Sequence, residues 1–178
     1  YMVYNLLATA AAADLCGCPL PSLQKASDVF DPQNGRLQTF DVAGRRVLLN
    51  LTKNPNGFNQ NLKIVTGAPG RKAVAFFIND READGHDISW LWDVDFSSLR
   101  GTGVAMVSGV RAWDMTLRLE YKQVTVNNDN TELEEAVSTF VNANPGAPKH
   151  IYCTYTAMLK TRAALGKIAE VADAGVGK

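Results

Sequence analysis

Short apolar runs alternate with segments of helical periodicity from Val47 onward, and this alternation constrains the fold more than any other feature. The apolar runs predict strands at Val47–Leu51, Ala73–Ile78, Val104–Val107, Val124–Val126 and His150–Cys153. The periodic segments predict four helices. The first begins near Phe58, the second covers Ala112–Tyr121, the third begins at the capping-box pattern Thr131-x-x-Glu134, and the fourth covers Thr156–Val171. The second of these helices carries Trp113, Leu117 and Tyr121 on one face. The alternation predicts an α/β fold with a mostly parallel sheet and helices on both faces.

A further strand precedes these elements. Leu37–Val42 has the pattern of a strand, and the sequence Ala43-Gly44-Arg45 that follows it is typical of a hairpin connection. A hairpin makes its two strands antiparallel, so we expect this strand at an edge of the otherwise parallel sheet.

The first 34 residues have a different character. Val3–Ala13 and Ser22–Phe30 show helical spacing, and the sequence DPQNG at Asp31–Gly35 predicts a turn or linker. We therefore expect two domains, residues 1–34 and residues 35–178. The first residue is Tyr1 and no basic region precedes the apolar start, so we expect a fragment of a longer protein and not a signal peptide.

Composition narrows the class of protein. Hydrophobic residues make up 46% of the chain and charged residues 20%, which predicts a folded core. The formal net charge is zero, which argues against a nucleic-acid-binding protein, and no apolar run approaches the roughly 18 residues of a membrane span. Three sparse cysteines predict reduced thiols in a cytoplasmic protein, and Cys16-x-Cys18 lacks the second pair that a zinc site needs.

The segment Asn79–Asp95, with the sequence NDREADGHDISWLWDVD, is the strongest candidate for a functional loop. It follows a predicted buried strand and holds six carboxylates and two of the three tryptophans. One interpretation is a solvated acidic loop anchored by tryptophan. The other is a site, because ligands bind where parallel strands end and partners often dock on aromatic residues.

The sequence lacks the common nucleotide and nucleophile motifs. It has no GxxxxGK[ST] loop, no GxGxxG after a strand and no nucleophile elbow, so we expect no cofactor bound to this chain by itself. His86 is interpreted as an exposed turn residue. Lys53 lies at a predicted strand end, where it either pairs with an anion or faces solvent. Arg111 either contributes to an anion site or forms an ion pair with Asp114.

Several segments in the right order carry a resemblance to a known family. They are Tyr4–Ala8 (YNLLA), Gly35-Arg36, Leu51–Asn59 (LTKNPNGFN), Asn79-Asp80, Ala83–Trp90 (ADGHDISW), Trp92-Asp93, Asp95-Phe96, Ser108-Gly109, Arg111-Ala112, Leu117–Leu119 and Tyr155–Ala157. Together they resemble the MurT family, the Mur-ligase-like subunits of lipid II isoglutaminyl synthase. The DGxDxSW run is the most specific of these matches. Asn56 departs from the family, where alanine is usual, and the family's phosphate loop and zinc ribbon are absent.

The resemblance implies a fold and a reaction. It implies a Mur ligase C-terminal-type, Rossmann-like domain at residues 35–178 and a helical remnant of the central ATPase domain at residues 1–34. In the full-length protein, ATP with Mg²⁺ would phosphorylate the α-carboxyl of D-glutamate in the lipid II stem peptide. Ammonia from a GatD-type glutaminase subunit would then displace the phosphate and leave D-isoglutamine.

The resemblance also implies roles for individual residues. Asp87, in the DGxDxSW run, would orient the glutaminase histidine, with Asp84 and Asp93 as lower-ranked candidates. The other implied site residues are Lys53, Asn54 and Arg36 for substrate binding, and Asp84, Gly85, His86 and Trp90 for partner binding.

Two alternatives remain open at this point. In one, the domain has no catalytic role and the acidic loop only docks a partner. In the other, the chain is the C-terminal domain of an amino-acid-adding Mur ligase or of a folylpolyglutamate-type ligase, which takes an amino acid in place of ammonia.

Overall fold

The computed structural model describes residues 3–30, 35–143 and 146–169. The chain divides into two compact units, Tyr1–Pro32 and Gln33–Lys178. The predicted linker at Asp31–Gly35 lies outside the described residues except for Gly35.

The first unit is a pair of helices, α1 (Val3–Leu15) and α2 (Leu20–Asp28). Helix α1 ends at Leu15, because Gly17 adopts φ +70° and the N–H of Cys18 donates to the Ala13 carbonyl. Glycine takes this positive φ without strain, so Gly17 ends the helix.

The second unit is built on one six-stranded sheet. Its strands are β1 (Gln38–Val42), β2 (Arg45–Leu51), β3 (Ala73–Phe77), β4 (Met106–Ser108), β5 (Asp129–Asn130) and β6 (Lys149–Cys153). They lie in the order β1-β2-β6-β3-β4-β5, and only the β1–β2 pair is antiparallel. The turn between β1 and β2 has positive φ at both Ala43 and Gly44, which matches the twist of a two-residue hairpin. The predicted parallel sheet with an antiparallel edge hairpin is confirmed.

Helices cover both faces of this sheet. They are α3 (Pro55–Gly67), α4 (Ala112–Tyr121), α5 (Leu133–Asn142) and α6 (Tyr155–Ile168). The side chains of β3 alternate between two cores: Ala75 and Phe77 pack with α5 and α6, whereas Val74 and Phe76 pack with α3 and α4. A strand buried on both faces needs apolar residues at every position, which is why its sequence has no polar interruption.

Three local predictions are wrong. The last parallel strand is Asp129–Asn130, and Val126 forms only an isolated bridge to Val104. Helix α3 begins at Pro55, since Asn54 caps it, and not near Phe58. The predicted capping box at Thr131 does not form, because α5 begins at Leu133 after an uncapped Glu132. The predicted end of the last helix at Val171 lies outside the described residues.

Candidate functional site

The carboxyl ends of β2, β3, β4 and β6 meet at one edge of the sheet, and Asn79 connects three of them. This buried residue follows β3, and its N–H donates to the hydroxyl of Thr154 after β6 at 2.8 Å. Its side-chain amide donates to the Thr156 hydroxyl at 3.0 Å and its side-chain oxygen accepts from the N–H of Val110 after β4 at 3.0 Å. A single side chain therefore fixes the starts of α4 and α6 relative to the sheet.

Gly109 permits this close approach. A Cβ at this position would lie 2.3 Å from the carbonyl oxygen of Ile78 and 2.8 Å from Oδ1 of Asn79, and its φ is +95°. Only glycine satisfies both the backbone conformation and the space. The segments after β3 and β4 are therefore closely packed where the acidic loop leaves the sheet.

Asp84 ties the acidic loop to the start of α6. Its Oδ1 accepts the backbone N–H of Thr156 at 2.7 Å, and its Oδ2 accepts the Thr156 hydroxyl at 2.5 Å and the N–H of Arg81 at 3.0 Å. Thr156 lies in the first turn of the helix, where backbone N–H groups lack partners within the helix. The carboxylate therefore caps α6 from a distant segment, while its predicted contact with a partner stays a prediction.

Asp87 lies on the solvent-exposed part of the same loop. Its Oδ1 accepts the backbone N–H of Ser89 at 2.7 Å. This bond, followed by one with the Ser89 side chain, lowers the pKa of Asp87 below its ordinary value and keeps the carboxylate ionised. Gly85 turns the chain at φ +84° just before it, and His86 is exposed between them. An exposed, oriented carboxylate of this kind can accept a hydrogen bond from a group on another molecule.

Aromatic packing anchors the loop after Asp87. Trp90 is partly buried against the core, and its ring centroid lies 6.2 Å from that of Phe58 on α3. The side-chain oxygen of Asn59 accepts the N–H of Asp95 at 2.9 Å. The loop and the first turns of α3 are therefore in direct contact, and the predicted tryptophan anchor is present.

Arg118 on α4 also holds the acidic loop, a role that the sequence did not predict. This buried residue of α4 donates to the carbonyls of Leu91 at 3.0 Å, Trp92 at 3.0 Å and Val94 at 2.8 Å. Burial lowers the pKa of its guanidinium, an effect that the carboxylates of Asp95 and Asp93 oppose. The sequence signals were an arginine beside the apolar positions of an amphipathic helix and its place in the Leu117–Leu119 segment of the family resemblance.

The predicted substrate-binding residues lie at the end of β2. Asn54 caps α3 by accepting the N–H of Gly57 at 2.8 Å, and Lys53 before it is exposed. Arg36 is also exposed, and the preceding Gly35 carbonyl accepts the N–H of Leu51 at 2.7 Å. Two basic side chains therefore flank the end of one strand, beside a helix amino terminus that favours negative charge.

Arg111 forms ion pairs at the start of α4. Its Nε lies 3.4 Å from a carboxylate oxygen of Asp80 and 3.4 Å from one of Asp114. The predicted ion pair with Asp114 is therefore confirmed.

The described residues contain neither a metal-binding cluster nor a membrane-spanning helix. Among residues 3–30, 35–143 and 146–169, no group of three or more His, Cys, Asp and Glu side chains is arranged to hold a metal ion. Over the same residues, every helix is too short or too polar to cross a bilayer.

A family model agrees with the sequence resemblance. The model described as MurT ligase C-terminal matches residues 51–158, from the end of β2 into α6. The match includes the acidic loop, the Lys53-Asn54 pair and Arg118.

Curated relatives point in the same direction. The lipid II isoglutaminyl synthase (glutamine-hydrolyzing) subunit MurT of Staphylococcus aureus strain COL is 32% identical over 128 residues, which cover 71% of this chain and 29% of the relative. The protein of the same name from Streptococcus pneumoniae strain ATCC BAA-255 / R6 is 31% identical over 168 residues, which cover 91% of this chain and 37% of the relative. The chain thus spans about a third of the length of the curated relatives it matches.

Solved structures of Mur ligases share the fold. The crystal structure of UDP-N-acetylmuramate-alanine ligase MurC from Thermotoga maritima superposes with a TM-score of 0.67 at 13% identity, over 93% of this chain and 36% of that one. This likeness shows the fold alone and confirms the predicted Mur ligase C-terminal type.

Proposed function

Because the chain belongs to the MurT ligase C-terminal family, we propose that it is the carboxyl-terminal part of a ligase subunit that amidates lipid II. The group amidated is the α-carboxyl of D-glutamate in the stem peptide, and the product is D-isoglutamine. The relatives' name supports lipid II as the substrate, glutamine as the nitrogen source and assembly with another subunit. The reaction belongs to peptidoglycan synthesis.

The role proposed for Asp87 is to complete the active site of a GatD-type glutaminase in trans. A cysteine glutaminase needs a histidine held in one tautomer and orientation, and a carboxylate usually holds it. The observation that supports this most is the Asp87 carboxylate itself, which is exposed, ionised and oriented by Ser89. Trp90 and Arg118 fix the segment that follows it, so that the carboxylate is preorganised before the partner arrives.

The role proposed for Lys53, Asn54 and Arg36 is to face the ligase cleft of the full-length protein. The exposed lysine and arginine at the end of β2 are suited to a phosphate or a carboxylate. ATP with Mg²⁺ would supply activation of the substrate carboxyl in the full-length protein. This sequence has no GxxxxGK[ST] phosphate loop, so Lys53 and Arg36 are proposed only as contacts to the substrate side of the ligase cleft.

The cytoplasm is the compartment proposed for this reaction. All three cysteines are free thiols, which is the usual state of cysteine in a reducing compartment. Cys153 is buried, and burial raises the pKa of its thiol to about 12, which makes it unreactive.

The test is amidation of lipid II by the full-length protein with its glutaminase subunit and ATP, followed by mass spectrometry of the product. Amide-labelled ¹⁵N-glutamine and ammonium are expected to give the same amidated stem peptide, whereas free amino acids are expected to give none. Addition of an amino acid would identify an amino-acid-adding ligase. No product from any nitrogen source would leave only a partner-docking role.

A further inference from the structure

Helix α4 presents an exposed aromatic surface beside the acidic loop. Trp113 is 73% exposed, Tyr121 69%, Trp92 50% and Leu117 49%. We call these four residues the aromatic patch. Scattered exposed apolar residues are ordinary, but large contiguous ones mark interaction surfaces.

Local contacts make the patch continuous. Trp113, Leu117 and Tyr121 are spaced by four residues on α4 and so lie in a row along the helix. The ring of Tyr121 packs edge-on against that of Trp92, with centroids 5.2 Å apart at 75°. Trp92 belongs to the acidic loop, so the row on the helix and the loop form one surface.

The patch is not needed to build the domain. The side of α4 that faces the sheet is formed by other residues, among them Ala112, Met115 and Leu119, which are all fully buried. The remaining face is free to serve contacts outside the domain.

Arg118 makes the patch rigid. Its guanidinium lies 5.1 Å from the ring centroid of Trp92 while it donates to the Trp92 carbonyl at 3.0 Å. The cation–π contact fixes the ring, and the hydrogen bond fixes its backbone. Preorganised aromatic side chains lose little freedom on binding, which is typical of the residues that dominate interface energies.

We propose that the aromatic patch is the docking surface for the glutaminase subunit that receives Asp87, an inference that rests on the proposed function. The occupant follows from continuity: Trp92 is five residues from Asp87 in one fixed loop, so a partner that contacts the carboxylate also reaches the patch. Exposed Asp93, Asp114 and Glu120 border the patch. The partner surface is therefore expected to carry aromatic-binding pockets ringed by basic residues.

The test is the affinity of the full-length protein for its glutaminase subunit, measured by isothermal titration calorimetry. Trp113→Ser and Leu117→Ser are each expected to weaken binding at least about tenfold, as truncation of central interface residues does. Leu159→Ser is the matched control, because Leu159 is 44% exposed on α6, which packs on the opposite face of the sheet. It is expected to leave the affinity unchanged.

Separate measurements distinguish the other occupants. If both patch variants bind the glutaminase with wild-type affinity, the patch is not the docking surface. The proposed function still stands in that case, provided that glutamine use by the complex depends on Asp87. A fall in ammonia-dependent amidation or in Tm of the isolated full-length variants would show that the patch packs against another part of that protein. A dimer of the isolated protein that Trp113→Ser dissolves would assign the patch to a second copy. Absence of any wild-type complex would overturn both proposals.

Discussion

The carboxylate of Asp84 receives both the backbone N–H and the hydroxyl of Thr156, 72 residues away, at 2.7 and 2.5 Å. This pair joins the acidic loop to the amino terminus of α6. It replaces the local side-chain cap that the helix lacks, since Thr154 at the N-cap position makes no capping bond.

Asp84→Ala is therefore expected to destabilise the domain. Loss of a cap costs about 1–2 kcal/mol of unfolding free energy, measured by urea denaturation. Glu82→Ala is the control, because this exposed carboxylate lies in the same turn. Equal stability of the two variants would contradict the capping role.

Arg118→Met should lower the unfolding free energy more than Asp84→Ala does, because three carbonyl groups lose the same charged donor. The expected loss is about 3 kcal/mol, in the range for breaking a buried charged contact. Arg100→Met is the control, since exposed Arg100 donates to a single carbonyl, that of Lys122, at 2.8 Å. It should change the unfolding free energy by less than about 1 kcal/mol. If the two substitutions cost the same, Arg118 does not hold the loop.

His150 predicts an acid-sensitive stability. Burial, with the charges of Lys72 and Arg46, lowers its pKa to about 4 from an ordinary 6.5, and its ring stacks on Tyr152. The unfolded chain therefore takes up the proton first as the pH falls. The contribution of neutral His150 to the free energy of unfolding is fully present above pH 6.5 and is lost as the pH drops toward 4. Between pH 7 and 5, wild type should lose about 1–2 kcal/mol more than His150→Phe in urea denaturation. Parallel losses in both proteins would contradict the assignment.

Lys53→Ala is expected to lower amidation by the full-length complex even when ammonium replaces glutamine. Loss of a charged contact to substrate predicts a decrease of about tenfold or more in kcat/KM. Lys63→Ala is the control, because Lys63 is exposed like Lys53 but lies within α3. Unchanged activity with ammonium would mean that Lys53 is a surface residue with no part in the ligase cleft.

Local patterns predicted most of the fold because they report burial. The uninterrupted apolar run at Ala73–Ile78 predicted a strand with two buried faces, and β3 has both. The β-branched run Val124–Val126 suggested a strand for the same reason. In the structure β4 pairs with Asp129–Asn130 and not with this run. Which residues pair with β4 depends on the fold and not on the local sequence pattern.

The organisation of the site was less predictable, because its contacts join distant segments. The DGxDxSW run singled out Asp87, but the Asp84–Thr156 pair and the Arg118 carbonyl contacts span 72 and 24 to 27 residues. Periodicity grouped Trp113, Leu117 and Tyr121 on one face. It could not tell that this face is exposed, because apolar spacing alone does not say what a helix packs against.

The most direct test of the account is glutamine-dependent amidation by a complex that carries Asp87→Asn, with ammonium-dependent amidation measured in parallel. The substitution removes an exposed charge and should leave folding and assembly intact. Glutamine-dependent activity should fall by roughly 10⁴-fold, as when a triad carboxylate is lost, while ammonium-dependent activity survives. Normal glutamine hydrolysis by the assembled variant would contradict the account, and loss of activity with both nitrogen sources would assign Asp87 to the ligase site or to the fold.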